Sequence, residues 1–446
     1  TAVGKATQGS FGPFARPAGE WAVSFDGAGD YLSVADSSDF DMGSGNFTAE
    51  CWVFPTSSVS QPFIMGQWSG SYSWAIQFSN NSSRYLRFLT NVGGIVDNVS
   101  STAVPLNQWS HVALVRNGTS FVAYLNGTSV VSSTVSGSLL NSTNAFTIGA
   151  NSTSEPQPYQ GSISNLRLVK GTAVYTSNFT PSAAPLTAVT NTKLLTCQSN
   201  RFVDNSASAH TITPVADASV SSFGPFLTDE VYDPAVNGAS AYFNDSSLST
   251  PSSADFALGT GDFTIEWWVY QKAVYDYTIY FDIRTQNTQA TPYLYQGDNG
   301  TFDYAPAGNT NHFTPPSLLN RWAHMAISRS SGTTKIFVDG VQYLSISDSI
   351  DYVQGGTLRV SRWWSSDEYH VNGYMCDFRW VKGTAVYTSA FTPPTAPLTA
   401  ITNTKLLLNM ADGQAIDSAA QNNLSLIGTA KLSTGQAKFG DTSLFM

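Results

Sequence analysis

The sequence is poor in charge and in cysteine. Charged residues make up 12% of its 446 residues, and 21 Lys and Arg stand against 31 Asp and Glu, which leaves a net charge of −10. A chain with so few cations lacks the basic surface that a phosphate backbone requires, so nucleic acid is not expected as a partner. The three cysteines, Cys51, Cys197 and Cys376, have no Cys-x-x-Cys spacing and are expected to be buried thiols.

Long apolar runs and catalytic motifs are also missing. The sequence contains no run of about 18 apolar residues, so no membrane insertion is expected. The few glutamates do not form the Glu-x-Asp-x-Glu pattern that carries paired acids in strand-borne glycosidases. Phosphate-binding, nucleophile-elbow and zinc-protease motifs are absent as well. The sequence therefore predicts a protein that is not an enzyme.

Aromatic residues, glycine and short alternating segments are abundant. Aromatics reach 13%, and 35 Gly and 20 Pro punctuate the chain. Segments such as WSHVALVR at 109–116 alternate with the period of two that is typical of strands. The pairs Asn126-Gly127 and Asp339-Gly340 suit the positive-φ corners of tight hairpins. These patterns predict an all-β protein.

One long segment of the chain occurs twice. KGTAVYTS stands at 170–177 and again at 382–389, and SFGPF stands at 10–14 and again at 222–226, so both pairs are shifted by the same offset. Two copies of one module therefore fill most of the chain. The predicted organisation is a lead-in segment at 1–20, a first module at 21–196, a connector at 197–236, a second module at 237–408, and a C-terminal connector and strand at 409–446. The end of that last segment, FGDTSLFM, resembles the strand that opens a module, as though a third module began there.

Five motifs in order resemble the laminin-G-like branch of the concanavalin A-like jelly rolls. In the first copy they are FDGAGDYL at 25–32, GNFTAECWV at 45–53, WSHVALVR, YLNG at 124–127 and GSISNLRL at 161–168. The second copy repeats them as GDFTIEWWV, WAHMAISR, FVDG and GYMCDFRW. The resemblance implies two tandem jelly-roll sandwiches, joined by a short β-rich connector.

Other segments resemble virion proteins of tailed phages from marine bacteria. They are VKGTAVYTSNFTP, LLTCQSNRFVDNSAS and SFGPF. This similarity implies a place on a virion surface, in a tail fibre or capsid decoration, or otherwise outside the cell. It also implies other virion proteins as partners and assembly as a homo-oligomer.

Two aromatic clusters are candidate glycan contacts. A sugar ring needs an aromatic face, with amides or carboxylates beside it for its hydroxyls. The first copy offers Trp68, Tyr72 and Trp74, and the second offers Trp363, Trp364, Asp367, Glu368 and Tyr369. The alternative is that these rings cover the core or contact a neighbouring subunit.

Calcium is a possible cofactor that the family resemblance implies. Such jelly rolls often hold Ca²⁺, which takes oxygen ligands from carboxylates and amides. The candidate ligands are Asp26, Asp30 and Asp39 in the first copy and Asn244 and Asp245 in the second. The alternative is that these residues only suit turns.

The leading functional prediction is a non-enzymatic virion or surface protein that binds a cell-surface glycan or polysaccharide in host attachment. One alternative is a purely structural capsid-decoration or tail-fibre component without a ligand. A third is a glycan depolymerase, which would need two carboxyl groups facing each other across a cleft.

Overall fold

The computed structural model describes most of the chain. The described residues are 2–3, 7–9, 11–57, 61–68, 72–79, 84–151, 157–226, 233–275, 277–286, 290–306, 310–352, 356–410, 431–433 and 443–445. The chain divides into two compact units. The first unit spans Arg16–Asp229, and the second combines Thr1–Ala15 with Glu230–Met446.

The first unit is a sandwich of two antiparallel sheets, whose strands are numbered in chain order. One sheet contains, in spatial order, β12 (Thr128–Thr134), β11 (Ser120–Leu125), β10 (Ser110–Asn117), β5 (Phe47–Pro55), β14 (Gln160–Lys170), β3 (Ala22–Asp26) and β17 (Ser219–Ser221), with β15 (Thr192–Thr196) also paired to β14. The other contains β16 (Ile212–Val215), β4 (Tyr31–Val34), β13 (Phe146–Ile148), β6 (Phe63–Gln67), β7 (Trp74–Phe78), β8 (Tyr85–Asn91) and β9 (Ile95–Ala103). Apolar side chains from both sheets form one buried core between them.

The second unit repeats this arrangement strand for strand. Its first sheet contains β27 (Val341–Ser347), β26 (Thr333–Val338), β25 (Trp322–Ser330), β20 (Phe263–Ala273), β29 (Asn372–Lys382), β18 (Ser240–Phe243) and β2 (Thr7–Gly9), with β30 (Thr404–Leu408) paired to β29. Its second sheet contains β1 (Ala2–Val3), β19 (Ser247–Ser249), β28 (Arg359–Val360), β21 (Tyr277–Asp282), β22 (Leu294–Gly297), β23 (Phe302–Tyr304) and β24 (Asn311–Phe313). A separate hairpin pairs β31 (Lys431–Ser433) with β32 (Ser443–Phe445). The predicted pair of all-β sandwiches is confirmed.

Helical structure is minor in the part of the chain that the structure describes. It includes the short helix α1 (Pro234–Asn237) and 3-10 turns at Ser38–Phe40 and Ala254–Phe256. Among these residues, none of the helices has the length and apolar character needed to cross a membrane.

Equivalent hairpins close at the two predicted turns. Asn126 and Gly127 have φ of 49° and 77°, and Asp339 and Gly340 have φ of 51° and 79°. Both residues of each pair are thus left-handed, as a type I′ turn requires. A Cβ on either glycine would lie 1.8 Å from a backbone oxygen, of Phe179 or Phe391, so a larger residue does not fit.

Strand alternation corrects one prediction about the core. Trp52, Trp109, Trp267 and Trp322 are expected on the apolar side of the sandwich, and Trp267 and Trp322 are fully buried. Trp52 is only half-buried. Strand pairing makes Trp268 its counterpart and Cys51 the counterpart of Trp267, so Trp52 lies on the outer face of the sheet and not in the core. Since neighbouring residues of a strand face opposite sides, the inward position holds a thiol in one copy and an indole in the other. Trp109 is also half-buried.

Candidate functional site

The second unit carries an aromatic cleft at its second sheet, next to the loop between β28 and β29. One cavity of about 520 Å³ is lined by Tyr277, Tyr293, Tyr295, Trp363, Ser365, Ser366, Glu368 and Tyr369. A second cavity of about 910 Å³ is lined by Asp245, Val274, Tyr275, Tyr277, Asp298, Asp367, Glu368, Tyr369 and His370. The two cavities share Tyr277, Glu368 and Tyr369, so they adjoin, and together they are called the cleft here.

Two strands and one loop supply the rings of this cleft. Tyr277 opens β21, and Tyr293 and Tyr295 lie two residues apart at β22, so that their side chains face the same side. Trp363 and Tyr369 come from the loop. Tyr369 has a φ of 62°, and its carbonyl accepts a hydrogen bond of 2.8 Å from the N–H of Ile279 in β21. A left-handed tyrosine is uncommon, and here the bond to β21 holds it.

The rings meet edge to face around the cleft. The ring centroids of Tyr277 and Tyr369 are 5.6 Å apart, and those of Trp363 and Tyr369 are 5.8 Å apart. Tyr293 and Tyr295 stack nearly parallel, with centroids 5.9 Å apart. Tyr277 and Tyr369 remain 48% and 37% exposed, so their faces are open to a ligand.

A buried arginine supports two of these rings. The guanidinium of Arg284 lies 3.4 Å from the ring centroid of Tyr293 and 4.3 Å from that of Trp363. Asp282 pairs with it at 2.6 Å, and both side chains are fully buried. A desolvated cation between aromatic faces is worth about 2 kcal/mol, so Arg284 orients Trp363 towards the cleft.

Polar groups stand beside the rings. Ser366 Oγ donates to Glu368 Oε2 at 2.9 Å, and Asp367 lies 3.4 Å from Arg362 and 3.6 Å from His370. Burial raises the pKa of the Tyr295 hydroxyl, and the neighbouring Asp303 raises it further. The phenol therefore stays a hydrogen-bond donor at neutral pH.

The second predicted cluster is thus largely brought together, and the first is not. Trp363, Asp367, Glu368 and Tyr369 line the cleft, whereas Trp364 lines neither cavity. The hypothesis missed Arg284 and the three tyrosines Tyr277, Tyr293 and Tyr295. The Tyr-x-Tyr spacing at 275–277 and 293–295 is the signal that would have found the tyrosines.

In the first unit the structure corrects the prediction for Trp74. Its side chain is fully buried in the core, where its ring lies 5.3 Å from that of Phe47. Trp68 is 8% exposed and stacks on Tyr72, with centroids 4.8 Å apart, over a small apolar cluster. These rings cover the sheet, and only Tyr72 keeps a partly open face.

Three carboxylates in the first unit form a candidate cation site. Oxygens of Asp26, Asp30 and Asp217 lie within 4.8 Å of one another. Asp30 is 2% exposed, its Oδ2 accepts from the Asp26 N–H at 2.6 Å, and its Oδ1 has no hydrogen-bond partner. Burial and the neighbouring carboxylates raise the pKa of Asp30 to about 7. An orphaned, buried oxygen among three acids fits Ca²⁺, which prefers such ligands.

The other predicted calcium ligands are placed elsewhere. Asp39 lies 2.9 Å from Lys193 and 3.3 Å from His210, so protein side chains already contact its carboxylate oxygens. In the second unit the Asn244 N–H donates to the Ser246 hydroxyl at 3.1 Å, a bond that takes the place of the one from Asp26 to Asp30. Asp245 lines the cleft. Neutral side chains thus replace two of the acids, and within the described residues the second unit has no such cluster.

The matching glutamates of the two copies are buried in identical networks. Glu50 accepts from His111, Arg167 and Tyr175, at 3.0, 2.6 and 2.8 Å. Glu266 accepts in the same way from His324, Arg379 and Tyr387. Burial opposes ionisation of Glu50, yet His111 and Arg167 outweigh it and its pKa is lowered. A fully buried, paired carboxylate is not positioned to attack a substrate.

Comparisons with known proteins concern both copies. The sequence model of one family, described as the concanavalin A-like lectin/glucanases superfamily, matches residues 26–173 and 243–388. None of the curated proteins matches the chain.

Several solved structures are similar to the chain. Domains LG4-5 of the mouse laminin alpha1 chain are 11% identical, covering 86% of this chain and 97% of that one, with a TM-score of 0.29. A Bacteroides ovatus protein, provisionally assigned as carbohydrate-binding, is 16% identical over 46% of this chain, with a TM-score of 0.36, and the match spans only 60% of its length. The CBM40 of the Ruminococcus gnavus IT-sialidase, bound to alpha2,3 sialyllactose, is 10% identical over 35% of this chain and 95% of that one, with a TM-score of 0.27.

Proposed function

Given that the chain belongs to the concanavalin A-like lectin/glucanases superfamily, we propose that it binds carbohydrate through the aromatic cleft of its second unit. The observation that carries the proposal is the pair of exposed rings, Tyr277 and Tyr369, which lie with the half-buried Trp363 beside the hydrogen-bonding groups of Glu368 and Ser366. A volume of about 520 Å³ is typical of a small-molecule site.

Recognition would use ring stacking and hydrogen bonds. The apolar face of a sugar ring packs on Tyr277 or Tyr369, while the phenols donate to its hydroxyls and Glu368 accepts from them. Asp298, Asp367 and Glu368 line the larger cavity, and the nearby Arg284 is buried and neutralised by Asp282. Because the open part of the cleft is acidic, neutral saccharides are favoured over sialylated or uronic ones.

A glycan array probed with the full chain tests this proposal, followed by calorimetry on the best ligand. Tyr277→Ala removes an exposed ring and should weaken binding about tenfold, or ~1.4 kcal/mol. Tyr343→Ala, which changes a tyrosine of β27 outside the cleft, is the matched control and should leave binding unchanged. A chain that binds no saccharide, or a Tyr277→Ala variant that binds as well as the wild type, would overturn the proposal.

The proposal includes binding without cleavage. The matching Glu50 and Glu266 are sequestered in their ion-pair networks, so they are not available as nucleophile or acid. Incubating the full chain with each bound polysaccharide and measuring released reducing ends tests the depolymerase alternative. A steady release that Glu368→Gln abolishes would establish it.

For the biological setting, we propose an extracellular or virion-surface protein that attaches to a host. The support is the resemblance of three sequence segments to phage virion proteins, together with the aromatic cleft. We expect the labelled chain to adsorb to bacterial cells, and we expect the saccharide identified on the glycan array to compete with this adsorption. If the chain binds no cells, the result favours the alternative of a purely structural fibre or decoration component.

A further inference from the structure

The repeated Phe-Gly-Pro-Phe, at 11–14 and 223–226, occupies equivalent places in the two units. In the first unit the ring of Phe223 lies 4.9 Å from that of Phe54 and 5.6 Å from that of Trp109, and Phe226 lies 5.6 Å from Trp52. These are edge-to-face or tilted contacts on the outer face of the β5–β10 sheet. The segment therefore covers rings that the strand pattern leaves half-buried.

In the second unit, the equivalent segment contacts the rings at the corresponding positions of the sheet. Phe11 lies 5.1 Å from Tyr270 and 5.4 Å from Trp322, and Phe14 lies 5.6 Å from Trp268. Tyr270, Trp322 and Trp268 are the counterparts of Phe54, Trp109 and Trp52, so the contact pattern is repeated ring for ring. The Ser240 hydroxyl also donates to the carbonyl of Phe11.

Backbone pairing repeats as well. The strand before each segment adds to the edge of the sheet, β17 beside β3 in the first unit and β2 beside β18 in the second. The glycine of the motif lies close to backbone: a Cβ on Gly224 would lie 2.0 Å from the Glu20 oxygen, and one on Gly12 3.3 Å from the Ala239 oxygen. Strand addition plus two aromatic anchors is a mode of peptide recognition.

We call the set of rings that each segment covers its dock: Phe54, Trp109 and Trp52 in the first unit, and Tyr270, Trp322 and Trp268 in the second. The two segments reach their docks from different directions along the chain. In the first unit the segment follows the sandwich that it covers, whereas in the second it comes from residues 1–15, far upstream of that sandwich. The sequence after β30, residues 409–446, contains no second-unit copy of the motif. The dock thus selects the motif by its contacts and not by its position along the chain.

From this we propose that the dock of the second unit is a recognition site for the Phe-Gly-Pro-Phe segment that also accepts it from a second copy of this chain. Two copies would then exchange residues 1–15 and become joined. Exchange makes the same contacts as the closed chain, so concentration decides between them. The proposal is independent of carbohydrate binding.

Peptide binding tests recognition. In the full chain, Phe11→Ala with Phe14→Ala removes both aromatic anchors and should weaken the hold of the chain's own segment, so that a labelled peptide of residues 7–15 binds saturably, one peptide per chain. The wild-type chain should bind the peptide about tenfold more weakly, because its own segment competes. A peptide with both phenylalanines changed to alanine is the control. If the double variant, shown to be folded by circular dichroism, binds neither peptide or both equally, the recognition site is overturned.

Native mass spectrometry at rising protein concentration tests exchange between copies. The wild-type chain should form a dimer that the Phe11→Ala, Phe14→Ala variant loses. Phe223→Ala with Phe226→Ala, which changes the covalently adjacent segment, should leave it intact. A wild-type chain that stays monomeric at every concentration would overturn exchange, even where the peptide binds.

Discussion

At the scale of single residues, both units place a carboxylate where water does not reach. Glu50 and Glu266 are fully buried, and each accepts hydrogen bonds from an arginine, a histidine and a tyrosine. A buried charge is tolerated only when it is paired and its lone pairs are satisfied. The network therefore links the central strand of the sheet to the Val-Tyr-Thr segment that carries Tyr175 or Tyr387.

Asp377 is another buried carboxylate, and the first unit has a different residue at the equivalent position. It is 2% exposed, and burial raises its pKa to about 7. Its Oδ1 accepts from Asn409 at 2.5 Å. The counterpart in the first copy is Asn165, which has the same left-handed backbone, with a φ of 51° against 50°. Both residues lie at a β-bulge between the paired central strands, and in the first unit that position holds an amide, which does not titrate.

Asp377→Asn should change how stability depends on pH. An acid whose folded pKa is raised keeps its full contribution below about pH 4 and loses it as pH rises towards 7. We expect the variant to exceed the wild type by about 2–4 kcal/mol at pH 8 and to match it near pH 4. Urea unfolding at both pH values measures this. The reciprocal Asn165→Asp change should impose the same pH dependence on the first unit, and parallel pH profiles for all variants would contradict the assignment.

At the scale of elements, the paired strands β5–β10 and β20–β25 differ in how deeply they bury their aromatics. Trp322 in β25 is fully buried, whereas Trp109, which stands just before β10, is half-buried. The inward position of the central strand holds Trp267 in one unit and Cys51 in the other. The second unit therefore buries a larger ring at the inward position, while Trp322 is buried on the outer face of its sheet, where Phe11 covers it.

Trp322→Ala should cost about 3–5 kcal/mol of unfolding free energy, because it leaves a large cavity. Trp109→Ala removes a ring that already faces solvent in part, and its cost should be nearer to about 1–3 kcal/mol. Denaturant unfolding monitored by circular dichroism gives both values. Equal losses at the two positions, or a loss below about 1 kcal/mol for Trp322→Ala, would contradict the burial difference.

At the scale of the whole molecule, the two units share a fold but differ in chemistry. The aromatic cleft is found in the second unit, while the cluster of three carboxylates lies in the first. In the repeated sequence, the position that corresponds to Asp217 is held by Lys5. Together with Asn244 and Ser246 in place of Asp26 and Asp30, the second copy thus replaces acids with neutral or basic residues.

Calcium should therefore stabilise one unit and not the other. At about 100 times its dissociation constant, Ca²⁺ should add about 2.7 kcal/mol to the first unit. Because the pKa of Asp30 is raised to about 7, protons compete and the effect should be larger at pH 8 than at pH 6. Calorimetric scans with Ca²⁺ or with a chelator test this.

Asp217→Asn provides the control for calcium. It removes one ligand that is exposed and contributed by the turn between β16 and β17, so the fold should persist while the calcium response disappears. A shift that survives in Asp217→Asn, or that appears in the transition of the second unit, would place the ion elsewhere.

The duplication, the sandwich class and the hairpin corners can all be read from the amino-acid sequence. These follow from signals that can be read along the chain: segments repeated at one offset, a period of two, and Asn-Gly or Asp-Gly pairs whose φ preferences act within the turn itself. The loop aromatics Trp363 and Tyr369 were also predictable, since large rings in a variable loop stand out in the repeat.

Which of these rings a ligand can reach depends on the folded chain. Trp74 fits an aromatic cluster in the sequence but points into the core, while Tyr277 and Tyr293, at β21 and β22, meet Trp363 from the distant loop after β28. The same holds for Asp217, which strand pairing brings to Asp26 and Asp30 from the far end of the first unit. Burial and convergence depend on long-range pairing and on which face of each strand turns inward, and a local pattern does not encode either.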